Sequence, residues 1–201
     1  GLSAQLVFWP EGLLDALANR GYRVIAFDNR DAGKSTRIRK PFKYGPVQAL
    51  LRHLVGLKVH APYTLNDLVD DTMGLLDALG IAKAHLVGAS MGGMIVQLAA
   101  ATRPERVLSA TSIMSSTNSP LLPPPRPSAL KTLVAPRTEI ETVDQYVAFG
   151  LDMMAKLGGT LDQGRDELEN MFRRSWERGL NPRGIRHQLL AILATGTPTT
   201  R

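Results

Sequence analysis

One serine has neighbours whose types and spacing suit nucleophilic chemistry. Residues 88–92 read Gly-Ala-Ser-Met-Gly, so Ser90 has a glycine two positions away on each side. The apolar run 84–88 before it is typical of a buried strand, and the run 91–103 after it is typical of a helix. A serine on a sharp strand-to-helix turn projects its hydroxyl above the end of the sheet. The pattern therefore predicts that Ser90 is a nucleophile.

The residues around Ser90 have predicted roles of their own. Gly88 and Gly92 keep neighbouring Cβ atoms away from a strained turn. The start of the following helix adds positive partial charge, and the backbone N–H of Met91 can donate to an oxyanion. The alternative is a glycine-rich turn that binds phosphate, but the spacing matches neither the dinucleotide-binding nor the P-loop pattern.

The rest of the first half alternates between strand and helix patterns. Strands are predicted at 22–27, 84–88 and 107–114, and the first of these reads as buried. Helical patterns occur around Leu13 and over 65–79 and 91–103. Such alternation predicts parallel βαβ units and therefore an α/β fold with a doubly wound parallel sheet.

The composition changes after residue 118. Five of the thirteen prolines lie in 119–127, and helical patterns alone follow, at 143–157, 164–178 and 182–193. We therefore predict a core over 1–118, a helical cap over 119–195 and the start of a return to the core over 196–201. Packing between cap helices is the favoured interpretation of the cap's large apolar residues, and a substrate pocket is the alternative. The candidates are Met153, Met154, Met171, Phe172 and Trp176.

Composition excludes several other classes of function. The net charge of +6 arises between Arg20 and His60, where ten Lys or Arg face two acids, and the remainder nets −2. The aromatic residues of this segment are not arranged for base stacking, so we expect a solvated surface, with no nucleic acid and no membrane as partner. No cysteine is present, and the four histidines lack metal-ligand spacing, so neither a metal nor a cofactor is expected. No signal peptide is visible, which favours a cytoplasmic location, although the chain begins with Gly1 instead of methionine.

Three segments give the chain a family resemblance. Residues 1–5, 27–35 and 88–93 resemble α/β-hydrolase-fold proteins, and among these the bacterial esterases similar to aclacinomycin methylesterase. The resemblance implies that the backbone N–H of Leu2 is the second oxyanion donor. It also implies that Asp31 stands where the family has a glycine in a structural turn, a change that leaves the chemistry undisturbed. Serine at position 90, where haloalkane dehalogenases have aspartate, points to ester, amide or perhydrolase chemistry.

The sequence does not complete the catalytic set. A serine nucleophile needs a general base, and this fold supplies an acid and then a histidine after the serine. Only His187 follows Ser90, on a helical pattern where a surface or cap-packing role is expected. The resemblance also implies a strand before Gly1, between the strands that end at Phe27 and Gly88. We therefore expect an internal fragment or an incomplete gene product, inactive alone.

The preferred function is a serine hydrolase (EC 3.1.1) that cleaves a small-molecule carboxylic ester through an acyl-enzyme on Ser90. One alternative is a cofactor-free perhydrolase or haloperoxidase-type enzyme, which shares the motif at 88–93. The other is a non-catalytic protein of the same fold that binds a ligand or partner. The sequence leaves the substrate and the oligomeric state open.

Overall fold

The computed structural model describes residues 1–118, 122, 126, 140–157 and 164–195. Its strands are β1 (Ala84–Ala89) and β2 (Val107–Ile113). Its helices are α1 (Glu11–Ala18), α2 (Pro46–Leu54), α3 (Leu65–Ala78), α4 (Met91–Thr102), α5 (Val143–Leu157), α6 (Arg165–Glu177) and α7 (Pro182–Thr195). Short 3₁₀ turns lie at Leu6–Phe8 and Pro104–Arg106.

The central unit consists of β1, α4 and β2. The two strands are parallel, and α4 connects them and packs on both, while α3 packs on α4. Leu68, Ile95 and Met91 are at most 5% exposed in the core between α3 and α4. The parallel βαβ unit predicted from the alternation of patterns is therefore confirmed, because apolar faces at helical spacing bury against the sheet.

Helix α3 is capped at its N-terminus by Thr64, which forms a capping box with Asp67. The Thr64 backbone N–H and hydroxyl both donate to Oδ2 of Asp67, at 2.8 and 2.7 Å. Partial burial acts to raise the pKa of Asp67, but the hydrogen bonds from Thr64 and the positive charge of Arg30 outweigh it and hold that pKa below its usual value. The ionised carboxylate therefore stabilises the start of this core helix.

We expect Asp67→Asn to lower the free energy of unfolding at neutral pH by about 1 kcal/mol. Because the folded-state pKa of Asp67 lies below its unfolded value, its contribution is fully present above the unfolded pKa and is lost as pH falls through the folded pKa. Urea unfolding of the natural gene product at neutral and acid pH checks this. Asp70→Asn, on the same helix with a carboxylate 63% exposed, is the control. A difference between parent and D67N that stayed constant with pH would contradict the expectation.

The prediction of a buried strand over 22–27 is wrong. These residues belong to no strand, and Tyr22, Ile25 and Phe27 are 51%, 37% and 37% exposed. A strand needs a neighbour to accept and donate its backbone hydrogen bonds. In the described part of the chain β1 and β2 pair only with each other, so no strand lies beside 22–27 to pair with it.

Helix α2 was not predicted from the sequence, where the segment was expected only to form a solvated basic surface. Its Ala49 is fully buried against Leu190 of α7, whereas Val47, Leu51 and Leu54 are at least 58% exposed. Val47, Leu51 and Leu54 follow helical spacing, so the sequence does contain a helical pattern here, although the structure leaves that side of α2 exposed.

The three helices after residue 140 lie within two residues of their predicted ends. Helix α5 packs on α6, and α7 packs on α2 and α3, so that Ala191 of α7 belongs to the main core. All five prolines predicted to form a connector lie outside the described residues. Among the helices that the structure describes, none combines the length and the apolar character needed to cross a bilayer.

Candidate active site

Ser90 lies at the sharp turn between β1 and α4. Its backbone has φ 54° and ψ −120°, and α4 begins at the next residue, Met91. A positive φ is uncommon in a residue with a side chain and costs free energy unless the surroundings impose it. The structure thus shows the strained strand-to-helix turn that the motif predicts for a nucleophilic serine.

Close packing of backbone around the turn explains the need for glycine. A Cβ atom at Gly88 would lie 2.1 Å from the carbonyl oxygen of Gly92, and one at Gly93 would lie 2.5 Å from Cβ of Ser115. At Gly92 the nearest described atom would be the nitrogen of Gly1, at 3.9 Å. The crowding expected from the sequence is therefore found at Gly88, while Gly93, and not Gly92, is the second crowded position.

The backbone of Ser90 is fixed on both sides. Its N–H donates to the carbonyl oxygen of Ile113 at the end of β2, at 2.9 Å. Its own carbonyl oxygen accepts from the Ser115 hydroxyl at 2.7 Å and from the Met94 N–H at 3.2 Å. These three hydrogen bonds hold the turn in its positive-φ conformation.

The opening loop of the chain lies beside this turn. A Cβ atom at Gly1 would lie 3.8 Å from Cβ of Ser90 and 3.9 Å from the Ala89 carbonyl oxygen. Leu2 is partly buried against the main core. Met91, as the first residue of α4, has a backbone N–H that no intrahelical carbonyl accepts. The segments that carry both predicted oxyanion donors are therefore neighbours of Ser90.

His187 is fully buried, and its ring bonds away from Ser90. Nδ1 is 2.9 Å from Oδ2 of Asp31, and Nε2 is 3.0 Å from the carbonyl oxygen of Lys40. The rings of Phe42 and Tyr63 enclose it at centroid distances of 4.8 and 6.1 Å. Of the two roles expected for His187, the surface role is wrong and the packing role agrees with the structure.

The other three histidines also bond elsewhere. Nδ1 of His53 lies 2.9 Å from the Leu193 carbonyl oxygen, and Nδ1 of His85 lies 2.7 Å from the Ser109 hydroxyl. His60 is exposed and contacts Tyr44, and the nearby positive charges, Lys43 foremost, lower its pKa. None of the four rings is therefore placed as a base for Ser90.

Asp31 is the centre of a buried polar network that the sequence did not reveal. Its backbone has φ 67°, and its side chain is fully buried. The carboxylate accepts from the Tyr63 hydroxyl at 2.9 Å and the Ile38 N–H at 2.7 Å, besides its contact with His187. Burial first, and then the neighbouring Asp31 charge and hydrogen bond, raise the pKa of Tyr63, so its hydroxyl remains a donor. The departure from glycine at position 31 was the visible signal, but its partners are distant in sequence.

The candidate pocket residues of the cap pack against one another. Phe172 is 1% exposed and meets the rings of Phe8 and Tyr146 edge-on, at 5.5 and 5.6 Å. Met153, Met154, Met171 and Trp176 are partly buried against this same cluster. The interpretation that these residues pack between helices thus describes the structure, and Phe172 has no surface to offer a substrate.

A small cleft lies elsewhere, between the opening loop and the turn before α7. Ser3, Gln5, Asp31, Tyr146 and Asn181 are among the residues that line it. Ser90 is not among them. The cleft therefore lies next to the loop that carries Leu2, without reaching Ser90.

Comparison with known proteins decides the family. The sequence profile of the alpha/beta hydrolase fold family matches residues 1–176. This chain belongs to that family. The fold class and the family predicted from the three segments of the sequence are thereby confirmed.

Curated relatives of this chain include several hydrolases. It is 34% identical over 106 residues to rhodomycin D methylesterase DauP of Streptomyces sp. (strain C5). It is 30% identical over 107 residues to the putative carbamate hydrolase RutD of Caulobacter segnis. Each match covers 53% of this chain, and 30% and 32% of the relatives. The matched part of the chain thus spans about a third of the length of these relatives.

Solved structures agree on the fold of this chain. A hydrolase from Pseudomonas aeruginosa PA01 aligns with a TM-score of 0.61 at 23% identity. A structure from work on carboxylesterases of the thaumarchaeon Nitrososphaera gargenis aligns with a TM-score of 0.66 at 21% identity. Both alignments cover 96% of this chain and 61% of the other.

Proposed function

We propose that Ser90 is the nucleophile of a serine hydrolase that cleaves carboxylic esters through an acyl-enzyme. The observation that carries the proposal is the backbone of Ser90, held at φ 54° between β1 and α4. The Gly-x-Ser-x-Gly motif at residues 88–92 would be weak evidence for a nucleophile without its structural context. The strained turn, with the strand before it and the apolar helix after it, is the context in which such a serine acts.

The proposed reaction has two stages. Oγ of Ser90 attacks the ester carbonyl carbon, and its proton passes to a general base. The carbonyl oxygen becomes an oxyanion, which accepts hydrogen bonds from the Met91 and Leu2 backbone N–H groups. The C–O bond to the alcohol then breaks, and the alcohol leaves with the proton. Water attacks the acyl-Ser90 ester in the same way, which releases the carboxylic acid and restores the hydroxyl.

The proposal requires a histidine base and an acid in the natural gene product. None of the four histidines of this sequence is placed beside Ser90 among the described residues. His187 is the clearest case, because both of its ring nitrogens are already bonded. The same observation favours, as a second candidate, a non-catalytic protein that binds a ligand at this turn.

The relatives support an ester as the substrate. Two curated relatives, from Streptomyces sp. (strain C5) and Streptomyces peucetius, are named rhodomycin D methylesterases. A structural neighbour comes from work on carboxylesterases. These names and the serine at position 90 together point to a small-molecule carboxylic ester.

The test is a comparison of activities in the natural gene product. We expect hydrolysis of p-nitrophenyl acetate and of aromatic methyl esters, with release of alcohol and acid in equal amounts. Peroxide-dependent halogenation in acetate buffer, without ester hydrolysis, would instead support a perhydrolase. Ligand binding with neither activity would support the non-catalytic protein and contradict the proposal.

A further inference from the structure

The opening loop is held by hydrogen bonds to residues far along the chain. The Ser3 backbone has φ 56°, an uncommon conformation for a residue with a side chain. Its N–H donates to Oε1 of Gln188 in α7, at 2.7 Å. The Gln5 side chain is held similarly, since its Nε2 donates to the Ser175 and Gly179 carbonyl oxygens at 2.9 and 3.1 Å. The loop conformation therefore depends on α6 and α7.

Both the oxygen and the nitrogen of the Gln188 side-chain amide form hydrogen bonds. While Oε1 accepts from Ser3, Nε2 donates to the carbonyl oxygen of Arg30 at 2.9 Å, and the side chain is 1% exposed. A backbone N–H on one side and a backbone carbonyl on the other allow only one orientation of the amide. Gln188 thus joins the opening loop to the turn that contains Arg30.

His187, the residue before Gln188, anchors α7 to the rest of the protein. His187 bonds to the Asp31 carboxylate and the Lys40 carbonyl oxygen and is fully buried. Helix α7 is consequently anchored to the 30–40 segment one residue away from the amide that holds Ser3. A bond made from such an anchored helix can resist the strain of the Ser3 backbone.

We infer that Gln188 is a positioning residue for oxyanion stabilisation. By fixing the N–H of Ser3, it sets the peptide that follows Leu2 and holds the Leu2 N–H toward the oxygen that develops at Ser90. Donors aligned in advance stabilise charge without reorganisation during the reaction. This inference rests on the proposed function, in which Leu2 is an oxyanion donor.

Two substitutions of Gln188 in the natural gene product test the inference. Gln188→Met keeps the volume but removes both hydrogen bonds, and we expect kcat to fall about tenfold or more with KM within about threefold of the parent value. Affinity for a boronic acid that forms a tetrahedral adduct should fall with kcat/KM. Gln188→Glu keeps an acceptor for the Ser3 N–H, although its second carboxylate oxygen replaces the nitrogen that donates to the Arg30 carbonyl oxygen. Its kcat should exceed that of Q188M even where its melting temperature is lower.

A matched control separates positioning from stability. Thr195 lies on the same helix, and its hydroxyl accepts from the Leu65 N–H at 2.9 Å, away from the opening loop. Thr195→Val should lower the melting temperature and leave kcat unchanged. Hydrogen exchange of the Ser3 amide should accelerate in Q188M and stay as in the parent in T195V.

The outcomes separate this inference from the proposed function. An active parent in which Q188M keeps its kcat overturns the inference and leaves the function standing. The same holds if kcat follows the melting temperature across Q188M, Q188E and T195V. A parent that shows neither ester turnover nor labelling of Ser90 by a phosphonate overturns the proposed function, and the inference falls with it.

Discussion

Replacement of Ser90 by alanine is expected to lower ester turnover by the natural gene product by about four to six orders of magnitude. The reason is that an alanine at this position lacks the oxygen that forms the acyl-enzyme, leaving only binding and the oxyanion donors to act on the substrate. Initial rates of p-nitrophenyl acetate hydrolysis, measured against the buffer rate, give the factor.

The fold should survive this substitution. Alanine keeps the Cβ atom, and the hydrogen bonds of residue 90 to Ile113, Ser115 and Met94 all involve its backbone. The melting temperature of S90A should therefore stay close to that of the parent. Ser109→Ala is the control, because Ser109 is exposed on β2 and contacts His85. Turnover retained by S90A would exclude Ser90 as the nucleophile.

The second large effect that we expect is a loss of stability when Gly88 is replaced by alanine. A Cβ atom there would lie 2.1 Å from the oxygen and 2.3 Å from the carbon of the Gly92 carbonyl group. Both are backbone atoms at the start of α4, so neither can rotate away. We expect Gly88→Ala to lower the free energy of unfolding by about 3 kcal/mol, the upper end of the cost of overpacking. Urea unfolding monitored by circular dichroism measures the difference.

Substitution of a glycine with open surroundings is expected to raise the free energy of unfolding instead of lowering it. Gly74 lies within α3, and a Cβ atom there would meet nothing within 4 Å. Gly74→Ala should raise the free energy of unfolding by about 0.5 to 1 kcal/mol, because alanine is the better helix former. If G88A proved as stable as G74A, the close approach of β1 and α4 at the turn would not be real.

The parts of the fold that were predictable are those whose signals are local. Helix α3 was visible from its apolar spacing, and the turn at Ser90 was visible from its glycines. The strand predicted at 22–27 failed because pairing depends on a neighbour that local sequence does not describe. Helix α2 was missed although Val47, Leu51 and Leu54 have helical spacing, and the structure leaves this side of the helix exposed.

The contacts that shape the site could not be predicted from local sequence. Ser3 and Gln188 are separated by 185 residues, and Asp31 and His187 by 156. Nothing near Gln188 in the sequence indicates a partner in the opening loop. His187 was noticed only because it is the one histidine after Ser90, and its buried partner followed from the fold alone.

The Ser90 assignment is tested most directly by mapping the adduct of a fluorophosphonate on the natural gene product. We expect one adduct, on the tryptic peptide that spans residues 84–106, with fragment masses that place it on Ser90. The adduct should be absent when S90A is treated in the same way. A stable adduct on another serine, with S90A labelled as fully as the parent, would contradict the account.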